Sequence, residues 1–244
     1  MSVLLDVQGL SKRFGGFVAL DGIDLAVNEG ERVGLIGPNG SGKSTLVNCI
    51  CGTLANDSGT VAFDGERIDR LETHQRTRRG IARSFQLPRP FASMTVAQNL
   101  RVPLLYTVNA RPGHKLAGAD LDARCSELLV LVGLDSKAAQ FPRDLTQVEM
   151  RKLELARAMA AEPKLLIADE AMAGLSNSEV NDIVALLIRL NERGITVILI
   201  EHIMRAVMDF SQRLVVLVSG KKIADGDPTA VIRDPEVERA YIGQ

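Results

Sequence analysis

Cysteine is scarce in this 244-residue chain: Cys49, Cys51 and Cys125 are the only three. An odd, sparse set excludes a disulfide framework and points to a reducing compartment. No Cys-x-x-Cys pair is present and the three histidines are scattered, which argues against a structural zinc site. Long apolar runs are missing too. Stretches such as Val197 to Ile200 and Leu214 to Val218 are strand-length, far short of the ~20 residues that span a bilayer. The first residues lack a basic segment followed by an apolar core, so no secretory signal is expected. Charge of one sign is also lacking. Lys and Arg total 29 against 30 for Asp and Glu, a formal net charge of -1. That balance removes the electrostatic footprint of a nucleic-acid binder and the bias of an acidic disordered tail. What remains is an ordinary globular composition, 46% hydrophobic, in a chain long enough to bury a large core without staples.

Periodicity divides the chain into an α/β beginning, a helical middle and an α/β end. Strands are predicted at 3–8, 23–27, 33–36 and 61–63, with Gly15-Gly16 and Asp64-Gly65 as turns and a helix over 43–51. Apolar residues then recur at helical spacing. Leu121, Leu128, Leu129, Leu131 and Val132 mark one helix, and Met150, Leu153, Ala156 and Ala160 another. The polar, Gly/Pro-containing segment 109–118 ahead of them reads as a mobile loop. Strands return at 165–168 and 196–200, around a helix over 180–191 with Gly194 past its end. A hairpin is predicted over 214–224. The division runs 1–86 for the first part of an α/β core, 87–163 for a helical subdomain and 164–244 for the second part of the core with a tail.

The chemistry concentrates at two strand ends. Gly37-Pro-Asn-Gly-Ser-Gly-Lys43-Ser44 fits the phosphate loop G-x-x-x-x-G-K-[ST], placed as it must be between an apolar strand and a helix. Gly40 and Gly42 let the backbone turn its N–H groups toward phosphate oxygens, and the helix N-terminus adds positive potential. Asn39, Gly40, Ser41, Gly42, Lys43, Ser44 and Thr45 are therefore the candidate nucleotide-binding residues. Lys43 supplies a cation to the β and γ phosphates, and the Ser44 hydroxyl is a candidate Mg²⁺ ligand. Leu165-Leu-Ile-Ala-Asp169-Glu170 is an apolar strand ending in adjacent carboxylates. Asp169 suits the far side of a Mg²⁺ site, and Glu170 suits a base that polarises the attacking water.

With those motifs in order, the sequence resembles the ATP-binding-cassette ATPases over nearly its whole length. The resemblance implies a P-loop α/β core with an antiparallel β portion and a helical subdomain. Phe14, in Lys12-Arg-Phe-Gly, falls where the family stacks an aromatic on adenine, and Val18 is a second candidate contact. Gln86, in Arg83-Ser-Phe-Gln, matches the glutamine that reaches Mg²⁺ and the lytic water. His202, in Ile200-Glu-His, matches the switch histidine at the γ-phosphate. Ala173-Gly-Leu-Ser176 matches the dimer-contacting loop. Ile81 to Gln86, Phe91 to Leu100, Ile200 to Met204 and Asp234 to Gly243 look like the longer ATPase subunit of branched-chain amino acid importers. Similar relatives handle amides, urea and other small solutes. The implied ligands are ATP and Mg²⁺. The implied partners are a second ATPase subunit in a head-to-tail, heteromeric dimer and membrane permease subunits, at the cytoplasmic face of the inner membrane. A soluble cassette protein of DNA repair or translation would carry a long coiled-coil insert or a second cassette, and this chain has neither.

The sequence departs from the family at its signature, Leu-Ser-x-Gly-Gln, which here reads Leu145-Thr-Gln-Val-Glu149. Thr146-x-x-Glu149 is a capping box, so a helix still starts there. Val148 adds bulk where backbone should approach phosphate, and Glu149 adds negative charge at the positive end of the helix. Ala171 stands in place of a proline and Ser176 in place of Asn or Asp. The expectation is one strong and one weakened ATP site in the dimer, with a nucleotide-gated structural subunit that hydrolyses little ATP of its own as the alternative. Arg76, Arg78, Arg79 and Arg83 form a basic cluster that reads as a solvated face, and Cys49 and Cys51 read as packing residues.

Overall fold

The computed structural model describes residues 2–84 and 88–242. Its first layer is an antiparallel sheet of β1 (Val3–Phe14), β2 (Phe17–Asn28), β4 (Ser58–Phe63) and β5 (Glu66–Arg67), in the order β2-β1-β4-β5. The second sheet contains β3 (Arg32–Ile36), β6 (Ile81–Ser84), β7 (Leu165–Asp169), β8 (Thr196–Ile200), β9 (Arg213–Val218) and β10 (Lys221–Gly226). Its order is β10-β9-β3-β8-β7-β6. All its neighbours are parallel except the edge pair β9–β10. Nine α-helices among the described residues complete the chain. The first six are α1 (Lys43–Cys51), α2 (Thr73–Arg79), α3 (Val96–Pro103), α4 (Gly118–Val132), α5 (Gln147–Met159) and α6 (Asn177–Glu192). Then come α7 (Met204–Phe210), α8 (Pro228–Ile232) and α9 (Pro235–Ile242).

Strands β7 and β8 are apolar over 165–168 and 197–200 because both faces of the parallel sheet are covered. Leu165, Ile167, Ile198 and Ile200 point into one core, shared with Leu46, Val47 and Ile50 of α1 and with Leu5, Val7, Leu25 and Phe63 of the antiparallel sheet. Leu166, Ala168, Val197 and Leu199 point into the other, shared with Leu128 and Leu129 of α4, Leu153 and Ala156 of α5, and Ile183 and Leu187 of α6. The functional loops all leave the same edge of this doubly covered sheet, at the carboxyl ends of β3, β7 and β8, as expected for an open α/β sheet.

Strand β1 runs six residues beyond its predicted end. Gly9 adopts φ 56°, and the register shifts between Val7 and Leu10. This bulge breaks the alternation that the sequence pattern relies on. Its N–H is taken up by Asp24 at 2.6 Å. The basic cluster is not a uniformly solvated face. Arg76 is only 2% exposed. Its guanidinium donates to the carbonyls of Cys49 and Ile50 at the end of α1 and to those of Asp69 and Leu71. It closes a helix terminus that would otherwise bury unpaired carbonyls. Arg83 turns inward to the functional site described below. Segment 109–118 is tied down: Asn109 exchanges two side-chain hydrogen bonds with the Leu116 backbone, and Arg111 donates to the carbonyls of Arg78 and Ala161. Cys49, Cys51 and Cys125 are buried, and burial pushes the Cys49 and Cys51 thiols up to about 11.

Candidate functional site

Strand β3 ends at Ile36, and the chain passes through Gly37 to Gly42 before α1 begins at Lys43. Gly42 has φ 106°, and a Cβ there would stand 2.7 Å from the Ala19 carbonyl and 3.0 Å from Leu20. The loop therefore lies directly on β2, and only glycine permits that approach. It is held from the other side by the turn between β9 and β10: Gly220 donates to the Ser41 carbonyl and accepts from the Asp21 amide, both at 2.9 Å. Lys43 is 7% exposed and donates to the carbonyls of Gly37 at 2.6 Å and Pro38 at 3.0 Å. Burial lowers its pKa, and the nearby charges of Glu170 and Asp169 raise it again. An ammonium resting on neutral carbonyls, with carboxylates behind it, is poised to exchange those acceptors for anionic oxygens.

Asn39 to Thr45 wall a cavity of about 190 Å³ together with Phe17, Ala19, Glu170 and His202. Seven of the predicted nucleotide-binding residues and both predicted catalytic groups at the strand ends thus converge on one space. Phe14 and Val18 are not among the lining residues. They lie on the hairpin whose end is the facing pair Phe14–Phe17, where Val18 pairs with Arg13. Phe17 is 61% exposed and Phe14 50%. Gln86 lies outside the described residues.

Asp169 and Glu170 are adjacent but differ in environment. Asp169 closes β7, is 7% exposed and is held by the Arg83 guanidinium at 2.5 Å, which also donates to Asn48 of α1 at 2.7 Å. Glu170 begins the next turn with φ 48°. A non-glycine residue there carries roughly 1–3 kcal/mol of backbone strain, which persists only where the surroundings enforce it. Its amide donates to the Ile200 carbonyl at 2.9 Å, and its carboxylate lies 3.1 Å from the His202 Nε2. Glu170 can accept a proton beside a lysine-lined cavity, with the imidazole fixing its direction. The oxygen donors of Ser44 and Asp169 suit Mg²⁺, a hard cation that takes few protein ligands when it sits on phosphates.

At the altered signature, α5 starts as its capping box predicts. Thr146 accepts from the Glu149 amide at 3.4 Å, and Glu149 accepts from the Thr146 amide at 2.8 Å. The carboxylate of Glu149 also meets the Lys137 ammonium at 2.7 Å, so the extra charge has a counter-ion. Val148 packs part of its side chain against the α4–α5–α6 core. Ser176 is itself an N-cap, starting α6 by accepting from the Glu179 amide.

Sequence reasoning missed Phe17, Arg83 and Gly220. Phe17 sits one residue from Val18, in a glycine-flanked hairpin whose aromatic pair is visible in the sequence. Arg83 was hidden in a basic cluster.

A model of the ABC transporter family matches residues 20–173. The chain belongs to the ABC transporter family. As such a cassette it is a nucleotide-binding ATPase, and its P-loop and acidic strand end fall inside the matched segment. It is 37% identical to the high-affinity branched-chain amino acid transport ATP-binding protein BraF of Pseudomonas aeruginosa, over 99% of this chain and 98% of that protein. The corresponding protein LivG of Escherichia coli is 36% identical over the same shares. The ADP conformation of MJ1267, an ATP-binding cassette of an ABC transporter, superposes with a TM-score of 0.89. It is 32% identical, and the two chains cover each other completely. The cassette fold expected from the motifs, with a parallel core, an antiparallel sheet and a helical portion, is the observed one. Among the described residues no helix is long and apolar enough to cross a membrane.

Proposed function

We propose that this cassette powers the import of branched-chain amino acids through a membrane permease. It would act at the cytoplasmic face of the inner membrane as one half of a head-to-tail dimer with a different ATPase subunit. The observation that carries the hydrolytic part is the Glu170–His202 pair, 3.1 Å apart on the wall of the P-loop cavity that Lys43 also lines. Similarity to BraF over 99% of the chain supports the solute.

In this reading Lys43 and the amides of residues 39–45 hold the ATP phosphates, and Phe17 or Phe14 stacks on adenine. Ser44, Asp169 and Gln86 would hold Mg²⁺, which would supply positive charge against the phosphate oxygens. Arg83 keeps the Asp169 carboxylate aimed along the end of β7. Glu170 takes the proton of the attacking water, and His202 fixes that carboxylate and reaches the γ-phosphate. The N-terminus of α5, with Lys137 balancing Glu149, faces the partner subunit's nucleotide. Residues 87–163 form the helical subdomain. Where the helices meet the core lies an apolar groove of about 360 Å³, lined by Phe91, Val102, Tyr106 and Arg83 among others. Arg83 connects that groove to Asp169.

The test is uptake of labelled leucine, urea and acetamide by liposomes carrying the assembled transporter with its solute-binding protein, ATP enclosed. Leucine uptake that disappears with Glu170→Gln is expected. Uptake of urea or acetamide without leucine would overturn the solute assignment. Uptake unaffected by Glu170→Gln would overturn the role of this chain.

A further inference from the structure

Glu201 is a carboxylate buried to 3% exposure, immediately before His202, and no step above uses it. One of its oxygens accepts the Met172 amide at 2.8 Å and the other the His202 amide at 3.3 Å. Met172 lies two residues past Glu170, in the turn that holds Glu170 at φ 48°. A single side chain therefore spans the two loops that present the proposed base and its histidine. Other ties between those loops include the Glu170 amide on the Ile200 carbonyl and the Glu170–His202 contact itself. The neighbouring Ala173 carbonyl is held from α5, by Gln147 at 3.3 Å and Arg151 at 3.2 Å. Arg151 also lies within electrostatic reach of Glu201. Burying a carboxylate is costly unless its oxygens are used, and here both are used on backbone N–H groups that flank the catalytic pair.

We propose that Glu201 is a positioning residue for ATP hydrolysis, clamping the Met172 and His202 amides so that the strained Glu170 turn is held with its carboxylate on the His202 imidazole. This inference rests on the reading of Glu170 as the base. Glutamine at this position keeps the shape but offers only one acceptor oxygen, and sets an NH₂ group against the second amide. The Glu170 turn would then drift relative to His202, and misplacement by about 1 Å costs on the order of 100-fold in rate.

The experiment measures ATP turnover by the assembled transporter, above the Glu170→Gln baseline, as a function of ATP concentration. Glu201→Gln is expected to lower kcat by roughly 10- to 100-fold while KM, and the Kd for a fluorescent ATP analogue, stay within about twofold, because the P-loop is untouched. Combined with His202→Ala, it should lower kcat no further than His202→Ala alone, since the two act as a unit. If Glu201→Gln fails to fold, Glu201→Asp carries the test. It keeps the charge, shortens the reach by one methylene, and should show an intermediate kcat at unchanged KM. A kcat within twofold of wild type in the folded variant, or affinity and kcat falling together, would overturn the clamp while leaving Glu170 as the base. Undiminished turnover by Glu170→Gln would instead overturn the reading of the base, and the clamp with it.

Discussion

Removing Lys137 exposes what the altered signature needs. Its ammonium lies 2.7 Å from one oxygen of Glu149 and 2.8 Å from the other, with side-chain exposures of 27% and 19%. Unit charges about 4 Å apart attract by ~1 kcal/mol in water and ~4 kcal/mol near a protein surface. Holding a lysine side chain in place offsets much of that, leaving about 1 kcal/mol for a partly exposed pair. Lys137→Ala should therefore lower the melting temperature by roughly 2–4 °C in a chain of this size. The Lys137 hydrogen bond, with the Thr146 amide, holds the Glu149 carboxyl below its ordinary range against the opposing effect of burial. A depressed folded pKa contributes stability above the unfolded value, and that stability is lost as pH falls through the folded one. The difference between wild type and Lys137→Ala should thus be full from about pH 5 upward and close in more acid solution. Glu149→Gln in the Lys137→Ala background should lower the melting temperature little further, because the pair is already lost. ATP-driven dimer formation should instead be weakened by Lys137→Ala and recovered by the double substitution, since a neutral side chain facing the nucleotide needs no counter-ion. Thermal melts at several pH values and size-exclusion chromatography with ATP give these readings. A loss of dimer formation that Glu149→Gln does not repair would refute the idea that Lys137 acts by neutralising the signature charge.

Three further outcomes follow from other parts of the structure. Arg76→Ala leaves the Cys49, Ile50, Asp69 and Leu71 carbonyls without their guanidinium and should cost on the order of 3 kcal/mol, read from denaturant unfolding, whereas substitution of a solvated arginine would change little. Stacking on a base is worth about 1–3 kcal/mol. Phe17→Ala should weaken ATP binding accordingly and more than Phe14→Ala, as isothermal titration would show. The reverse order would return adenine to Phe14. With the Cys49 and Cys51 thiols pushed up to about 11 by burial, maleimide at pH 7.5 should leave both unlabelled in the native protein and modify them once it is unfolded.

Much of the fold was legible because its signals are local. The apolar strands at 33–36, 165–168 and 196–200 and the glycine loop before Lys43 fall where the pattern puts them. The capping box of Thr146 starts a helix as its residue types require, whereas the one at Ser176 starts α6 three residues ahead of the predicted helix over 180–191. What escaped was set by distant partners. The six-residue extension of β1 depends on a bulge at Gly9 that Asp24 completes from the next strand. Arg76 and Arg83 looked like surface charge because nothing in their own segment announces the end of α1 or Asp169 as their destinations. Glu149 looked like an uncompensated charge because Lys137 lies on a separate turn, before α5. Within the site, the phosphate-loop residues and the Glu170–His202 meeting were readable from motif order, whereas the Gly220 turn beneath the loop was visible only in three dimensions.

The central claim is that Glu170, on the P-loop cavity beside His202, is the base of an ATPase whose closed state is a nucleotide-bound dimer. Mg-ATP hydrolysis and size-exclusion elution, measured on the chain together with its companion ATPase subunit for wild type and Glu170→Gln, test it most directly. The account predicts hydrolysis at the wild-type site, falling by about 10²- to 10⁴-fold at that site in the variant, with ATP trapping the variant as a dimer. Hydrolysis that persists in Glu170→Gln, or a variant that stays monomeric with ATP bound, would contradict it.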